Sequence, residues 1–152
     1  MSIYLKENPA YLRASLDSII NQTIPPAEIV MVKDGPLTKE LDSVLAEYDR
    51  RYPGIFSFIA YEENHGLGYA LHRGMLACAN DIVARMDTDD IARSDRMEKQ
   101  LKAIQDGLDM VGSQVIEFVE SPDKPIARTD LPEGLNNIIA CSKRRNPFRH
   151  PP

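Results

Sequence analysis

The sequence predicts an α/β fold, a mostly parallel sheet flanked by helices, and three observations carry this prediction. Apolar residues recur about every 3.6 positions in several stretches, as in amphipathic helices. Short runs rich in β-branched residues lie between those stretches, as in buried parallel strands. Proline and glycine lie at the junctions between the two patterns. At 152 residues the chain has the length of one domain, so we expect a single domain over residues 1–152.

The predicted elements alternate along the chain. The first helix begins at Pro9 with Asn8 as its N-cap and ends near Asn21, because apolar residues then recur on one face. Further helices are predicted from the helical spacing at 41–48, 67–78, 97–104 (capped by Ser94) and 135–139. Strands are predicted at 28–33, 56–61 and 82–86, with a strand or hairpin arm at 110–119.

Both ends of this sequence look truncated for such a sheet. Only Met1 to Leu5 precede the first helix, where a full buried strand is expected, and the last residues add no element. A shortened first strand would leave an open sheet edge, and open edges favour self-association.

Composition excludes several classes of protein. No apolar run approaches the roughly 18 residues of a membrane span, and the N-terminus lacks the pattern of a signal peptide, so a cytoplasmic protein is expected. The net charge of −5 argues against nucleic acid as the main partner. Cys78 and Cys141 are far apart and in no metal-ligand spacing, which favours reduced thiols.

An acidic cluster follows the predicted strand at 82–86. Asp87 and Asp89 are two residues apart, so their carboxylates can surround one cation, and Asp90 supplies a third oxygen source. Hard oxygen ligands of this kind suit Mg²⁺ or Mn²⁺, which complete their coordination with water and phosphate. Aspartates in such a loop also serve as turn formers and helix caps. Because three carboxylates in four residues repel one another, we favour the metal site.

Other polar residues follow the remaining strands, at the edge of the sheet where α/β proteins bind ligands. Asp34 can accept hydrogen bonds from a nucleobase or a ribose, although an Asp-Gly pair after a strand also forms simple turns. Asn64, Gly66 and Gly68 lie at a predicted helix N-terminus, where backbone N–H groups favour anions. The cationic C-terminal segment contains Arg145 and His150, which could contact phosphates or form a solvated tail.

Five segments in the same order resemble family 2 inverting glycosyltransferases of the GT-A fold. They are similar to that family's first helix, its second strand with a base-binding aspartate, its Asn-x-Gly-x-Gly-x-Ala segment, its DxD motif and a stretch before the acceptor half. The corresponding residues here are 8–23, 28–38, 63–71, 84–92 with Arg96 and Gln100, and 145–151.

The resemblance implies roles for the matched residues. Asp34 would contact the base, Ile3 and Tyr4 would line the nucleotide pocket, Asp87 would contact the ribose or the metal, and Asp89 would bind Mn²⁺ or Mg²⁺ on the donor diphosphate. Arg96 becomes a further candidate phosphate contact. The donor expected by family analogy is a UDP-sugar, with dTDP and GDP as alternatives, and the acceptor a glycan or a lipid-linked sugar. This implies polysaccharide biosynthesis in the cytoplasm or at a membrane surface.

The resemblance also implies what this sequence lacks. In the family, an aspartate of the acceptor half deprotonates the attacking hydroxyl, and that residue would lie beyond Pro152. We therefore expect this chain to bind donor but to turn over little by itself. Two alternatives stay open. Residues 87–91 nearly match the Asp-x-Asp-x-Thr/Val loop of haloacid-dehalogenase-like phosphatases, although position 91 is Ile. A non-catalytic nucleotide-binding module is the other.

Overall fold

The structure is a computed structural model that describes residues 1–119 and 121–148. These residues group into two compact units, one of residues 1–99 and one beginning at Gln100. The single domain expected from the sequence stays a prediction, which the cooperativity of unfolding tests.

The first unit contains, within the described residues, a three-stranded parallel sheet in the order β1-β2-β3. Ser2 and Ile3 pair with Val32 and Lys33, and Ile29–Lys33 pairs along its whole length with Phe56–Ala60. The elements in chain order are β1 (Ser2–Ile3), α1 (Pro9–Ile20), β2 (Ile29–Lys33), α2 (Lys39–Arg51), β3 (Phe56–Ala60), α3 (Leu67–Ala77) and α4 (Arg96–Gln105), which extends past residue 99. The α/β class and the parallel sheet are confirmed.

Local capping explains where the first two helices begin. The Oδ1 atom of Asn8 accepts a hydrogen bond from the N–H of Ala10 at 2.8 Å, and Pro9 lies at the first helical position, as predicted. Thr38 caps α2 through Oγ1, which accepts from the N–H of Leu41 at 3.2 Å. Acidic residues in the first turn of α2 and basic residues in its last turn complement the helix dipole.

The hydrophobic core of the first unit lies where α1 and α2 meet β1 and β2. Burying these apolar side chains supplies most of the driving force for folding. The buried residues of this cluster are Ile3, Leu12, Leu16, Met31, Leu41, Val44, Leu45 and Tyr48. Every residue of β2 except Lys33 is buried, as predicted for a central parallel strand.

The predicted strand at 82–86 is wrong: the structure describes this segment without a strand, and Ile82 and Val83 are exposed. A strand needs a neighbour for its N–H and C=O groups. Met86 is buried in one core cluster with Ile19 and with Ile29 of β2, and the Oγ1 of Thr88 donates to the carbonyl of Ser2 at 3.4 Å, but neither contact is a strand ladder. There β1 is only two residues long, too short to support another paired strand.

Two further predictions need correction. Helix α4 begins at Arg96, and the carbonyl of Asp95 accepts its first bond from the N–H of Lys99, so Asp95 replaces Ser94 at the cap position. The helical spacing over 67–78 predicts an apolar face that includes Leu67, Gly74 and Met75, but of these three only Gly74 is buried, together with Ala70.

The second unit contains an antiparallel hairpin and a short helix. Strand β4 (Ile116–Phe118) pairs with β5 (Pro125–Arg128), with Ile116 opposite Arg128, so only part of the predicted arm at 110–119 is a strand. Helix α5 (Leu135–Ser142) confirms the predicted helix there. Among the described helices, none is both long and apolar enough to cross a bilayer.

Candidate functional site

The carboxyl ends of the three parallel strands lie at one edge of the sheet. The N–H of Asp34 donates to the carbonyl of Ile3 at 2.8 Å, and the N–H of Tyr61 donates to the carbonyl of Lys33 at 3.0 Å. These bonds bring the residues that follow β1, β2 and β3 together. Ile3 is buried in the core, whereas Tyr4 is exposed at this edge.

Asp34 organises the loop ahead of α3. Its side chain is buried, and its Oδ1 and Oδ2 atoms accept hydrogen bonds from the N–H groups of His65 at 2.8 Å and Gly66 at 2.9 Å. The side-chain amide of Asn64 donates to the carbonyl of Asp34 at 3.1 Å. The predicted site residues Asp34, Asn64 and Gly66 are therefore in direct contact.

The start of α3 is open to an anionic group. Gly66 is the N-cap residue with φ of 89°, a conformation that favours glycine, and Gly68 is exposed in the first turn. The first N–H groups of a helix have no partner within it, and the helix dipole adds positive potential there. A Cβ atom at Gly66 or Gly68 would meet no heavy atom within 4 Å, so both positions border open space.

The predicted metal-binding segment lies beside β1, where Thr88 is buried and bonded to Ser2. Asp89 is exposed, and Asp90 is half-buried. Asp87 forms an ion pair with Arg85, whose Nη2 lies 2.7 Å from Oδ1 and 2.9 Å from Oδ2. The two aspartates predicted as metal ligands therefore differ in their surroundings. Asp87 is already paired with the cationic Arg85, whereas Asp89 is exposed.

Two carboxyl groups in and near this segment have raised pKa values: Asp90, and Glu7, which the sequence did not point to. Burial raises the pKa of Asp90, and the charges of Asp87 and Asp89 raise it further. Burial also raises the pKa of Glu7, as do the charges of Asp89 and Asp87, while a hydrogen bond with Thr88 opposes the rise. The position of Glu7 just after β1 was the available signal.

The chemistry of these oxygen donors suits a divalent cation bound together with phosphate. Among the described residues, no three side chains of the metal-binding types form a ready-made metal cage. Magnesium sites usually contain only one or two carboxylates, with water and phosphate completing the shell. Besides burial, the charges of Asp87 and Asp89 raise the pKa of Asp90, and a cation bound there would offset that repulsion.

Arg96 contacts the residues that come just before Asp87. Its Nη2 donates to the carbonyl of Arg85 at 2.8 Å, and its Nη1 lies 2.9 Å from the sulfur of Met86. Burial lowers the pKa of Arg96, although Asp90 and Asp87 oppose that effect. These contacts join Arg96 to the backbone and the side chain just before Asp87.

The remaining predicted phosphate contacts are Arg145 and His150, and their role stays a prediction. Arg145 is exposed and belongs to the second unit. His150 lies outside the described residues.

The structure adds an aromatic cluster next to Asp34 that sequence reasoning missed. The ring centroids of Tyr61 and His65 are 5.5 Å apart, those of His65 and Tyr69 4.7 Å, and those of Tyr61 and Tyr69 5.4 Å. Arg73 donates from Nε to the hydroxyl of Tyr61 at 2.9 Å. The aromatic residues at 61 and 69, on either side of the glycine loop, were the signal in the sequence.

Comparison with known proteins gives consistent matches along the chain. The sequence model described as "Glycosyl transferase family 2" matches residues 1–148. An uncharacterized glycosyltransferase of Haemophilus influenzae is 39% identical over 152 residues, which cover 99% of this chain and 56% of that protein. The UDP-Gal:alpha-D-GlcNAc-diphosphoundecaprenol beta-1,3-galactosyltransferase of Escherichia coli is 41% identical over 154 residues, covering 99% and 54%. The chain thus spans about half the length of these relatives.

A solved structure agrees at the level of the fold. The mannosyltransferase of Pyrobaculum calidifontis, in complex with GDP-Man and Mn²⁺, superposes with a TM-score of 0.61 at 20% identity over 73% of this chain and 32% of its own. That likeness shows that the α/β topology described above is also the topology of a GT-A glycosyltransferase. With its sequence matched almost throughout, the chain belongs to glycosyl transferase family 2 and has the GT-A fold.

Proposed function

We propose that this chain is the nucleotide-sugar-binding portion of an inverting glycosyltransferase. The whole protein would transfer a sugar from a nucleotide diphosphate to an acceptor hydroxyl with metal assistance. The observation that carries the proposal is the meeting, at one sheet edge, of the Asp34 loop and the segment of Asp87 and Asp89. Ligands bind at this edge in open α/β sheets.

The nucleoside would lie against the residues after β1 and β2. Tyr4 is exposed there to stack on a base, Ile3 forms the floor, and Asp34 still has lone pairs beyond the two that His65 and Gly66 occupy. Asn64, Gly66 and Gly68 border the open start of α3, where backbone N–H groups can bind phosphate oxygens.

Asp89 would hold the divalent cation, Mn²⁺ or Mg²⁺, because it is exposed and lies between Asp87 and Asp90 in a crowded acidic segment. Asp87 would take the ribose or the same cation, with Arg85 fixing its orientation. A cation bound there neutralises charge on the leaving diphosphate. The Pyrobaculum relative carries Mn²⁺ and GDP-Man, which supports a metal and a nucleotide sugar for this chain as well.

The acceptor side of the reaction would come from the rest of the protein. We expect the general base beyond Pro152, and little turnover by this chain alone. Direct attack of the deprotonated acceptor hydroxyl on the sugar would invert its configuration. The name of the Escherichia coli relative contains UDP-Gal and a diphosphoundecaprenol acceptor, which supports a UDP-sugar donor and a lipid-linked or glycan acceptor. A cytoplasmic location, at a membrane surface where the acceptor is lipid-linked, stays a prediction.

The phosphatase alternative requires Asp87 as a nucleophile. Both carboxylate oxygens of Asp87 are held by Arg85, so that geometry favours the transferase. Self-association through the open edges at β1 and β3 stays part of the proposal, since each has a neighbour on one side only within the described sheet.

Calorimetric titration of UDP into the full chain, with and without Mn²⁺, tests the proposal. We expect UDP to bind measurably with Mn²⁺ and at least about tenfold more weakly without it, because Asp89 acts through the metal. Parallel titrations with dTDP and GDP identify the nucleotide. Equal affinity with and without Mn²⁺ would contradict the metal-assisted mechanism, and absence of binding by all three nucleotides would contradict the donor site.

A further inference from the structure

Helix α1 carries three polar side chains on the side that faces the acidic segment. Ser15, Ser18 and Gln22 are spaced three and four residues apart, so they share one face at the C-terminal half of the helix and just beyond it. Ser15 is 0% exposed in a helix whose other buried residues are apolar, and Gln22, just after the helix, is 6% exposed. Buried polar groups destabilise a fold unless they are hydrogen-bonded, so these positions need an explanation.

Each of the three side chains bonds to backbone of residues 87–97, more than 70 positions along the chain. The hydroxyl of Ser15 donates to the carbonyl of Asp87 at 2.8 Å. The hydroxyl oxygen of Ser18 accepts from the N–H of Ala92 at 3.0 Å. These two bonds hold the segment on either side of Asp89.

Gln22 completes the attachment with both ends of its amide. Its Nε2 donates to the carbonyl of Arg93 at 2.7 Å, and its Oε1 accepts from the N–H of Met97 at 2.9 Å. The adjacent Thr23 donates its own N–H to the carbonyl of Ser94 at 2.8 Å. The acidic segment is therefore anchored at its start, its middle and its junction with α4.

The anchored segment has little regular structure of its own. Within the described chain, no helix or strand lies between Ala77 and Arg96. Its backbone geometry at Asp87, Asp89 and Asp90 is consequently set by side chains of another element, rather than by a ladder of backbone bonds. Metal ligands bind well only when the groups behind them hold them in position.

We propose that Ser15 and Gln22, with Ser18 between them, are positioning residues that hold the 87–97 segment so that its carboxylates bind a divalent cation together with the donor diphosphate. This inference rests on the proposed function. It extends the site to a helix face that contacts neither nucleotide nor metal.

The test compares the Mn²⁺ dependence of UDP affinity in the full chain and in Ser15→Ala and Gln22→Met variants. We expect the ratio of affinities with and without Mn²⁺ to fall by about tenfold in each variant, the usual size of an effect on groups behind a metal ligand. Gln22→Glu keeps the acceptor for Met97 but brings a carboxylate oxygen against the carbonyls of Ser18 and Arg93, so we expect the ratio to fall at least as far as in Gln22→Met. Ser18→Ala, at a half-buried position, serves if the other variants fail to fold.

Two controls separate positioning from stability. Asn21→Ala removes an amide next to Gln22 that donates to the carbonyl of Asp17 in α1. Val44→Ala removes a core side chain of α2 and should lower the Tm. We expect both to keep the wild-type affinity ratio.

Hydrogen exchange provides a second readout. The N–H groups of Ala92 and Met97 should lose protection in Ser18→Ala and Gln22→Met, respectively, while protection in β2 is retained. Variants that keep the wild-type affinity ratio would overturn this inference alone. Lack of Mn²⁺-dependent UDP binding by the wild-type chain would overturn the proposed function, and this inference with it.

Discussion

Asp34 and Gly66 are joined by a hydrogen bond in which the N–H of Gly66 donates to Oδ2 of Asp34 at 2.9 Å. The second carboxylate oxygen accepts the N–H of His65 at 2.8 Å. A residue expected to contact a nucleobase therefore also fixes the loop that leads into α3. Loss of this carboxylate should affect the fold as well as the site.

We expect Asp34→Asn to lower the free energy of unfolding by about 2 kcal/mol, because asparagine brings an NH₂ donor against one of two backbone donors. Urea denaturation measures this loss. Asp49→Asn, at an exposed position of α2, is the matched control and should change stability by less than about 0.5 kcal/mol. Equal losses in the two variants would contradict the organising role of Asp34.

Gly35 is a second residue on which the packing of the loop ahead of α3 depends. Its φ is 91°, and a Cβ atom there would lie 3.1 Å from the nitrogen of Asn64. Gly54 has a similar φ of 82° but open space around it. Both alanine variants should lose about 1 kcal/mol or more for the left-handed backbone. Gly35→Ala should lose more in urea denaturation, and equal losses would mean that the contact with Asn64 is unimportant.

The sequence predicted local features well and distant contacts poorly. Asn8 and Pro9 determine the start of α1 by contacts within one turn, so their pattern is readable without the rest of the chain. The apolar run at 82–86 looked like a strand, but a strand also depends on a partner, and β1 is too short to be one. Apolar periodicity alone carries no information on that partner.

The candidate site shows the same division between local features, which the sequence predicted, and distant contacts, which it did not. Asp34, Asn64, Gly66, Asp87 and Asp89 were identifiable from motifs and strand ends. The bonds that join Asp34 to the loop ahead of α3 and Asp87 to α1 link residues 30 or more positions apart, as between Asp34 and Asn64 or between Ser15 and Asp87. Ser15 and Gln22 looked like ordinary helix residues because their partners lie on another element.

Glu28 should make stability depend on acid pH. Its carboxylate accepts hydrogen bonds from the N–H of Ala79 at 3.0 Å and the hydroxyl of Ser57 at 2.9 Å, and these hold its pKa below the usual value. The folded state thus binds this proton more weakly than the unfolded state. The stabilisation is fully present above the usual glutamate pKa of about 4.3 and is lost as pH falls through the lowered pKa.

Urea denaturation from pH 7 to pH 3 checks this dependence. The wild type should be more stable than Glu28→Gln at pH 7, and the difference should shrink below about pH 4. Glu62→Gln, at an exposed position, should show no such convergence. A difference that stays constant with pH would contradict the role of the charge on Glu28.

Tyr48 links α2 to α1. Its hydroxyl donates to Oδ1 of Asp17 at 2.7 Å, and burial and this bond both raise its pKa. Tyr48→Phe should lower the free energy of unfolding by about 1 kcal/mol, because the ring still packs but the hydrogen bond is lost. Thermal unfolding compared with Tyr52→Phe, at the residue just after α2, measures the effect, and an equal Tm in both variants would be inconsistent with it.

Asp89→Ala tests the metal ligand. Because Asp89 is exposed, the variant should keep the wild-type Tm without ligands while losing Mn²⁺-dependent affinity for UDP. Asp81→Ala, an exposed aspartate outside the acidic segment, should keep both properties. Unchanged UDP affinity of the Asp89 variant with Mn²⁺ would remove this residue from the site.

Thermal unfolding of the full chain with Mn²⁺ alone, with UDP alone and with both tests the proposed donor site most directly. A ligand at about 100 times its Kd adds about 2.7 kcal/mol to the free energy of unfolding. For a chain of this size we expect a rise in Tm of roughly 5 to 10 °C only when both are present. A rise with UDP alone that Mn²⁺ does not increase, or no rise with UDP and Mn²⁺ together, would contradict metal-dependent donor binding at Asp87 and Asp89.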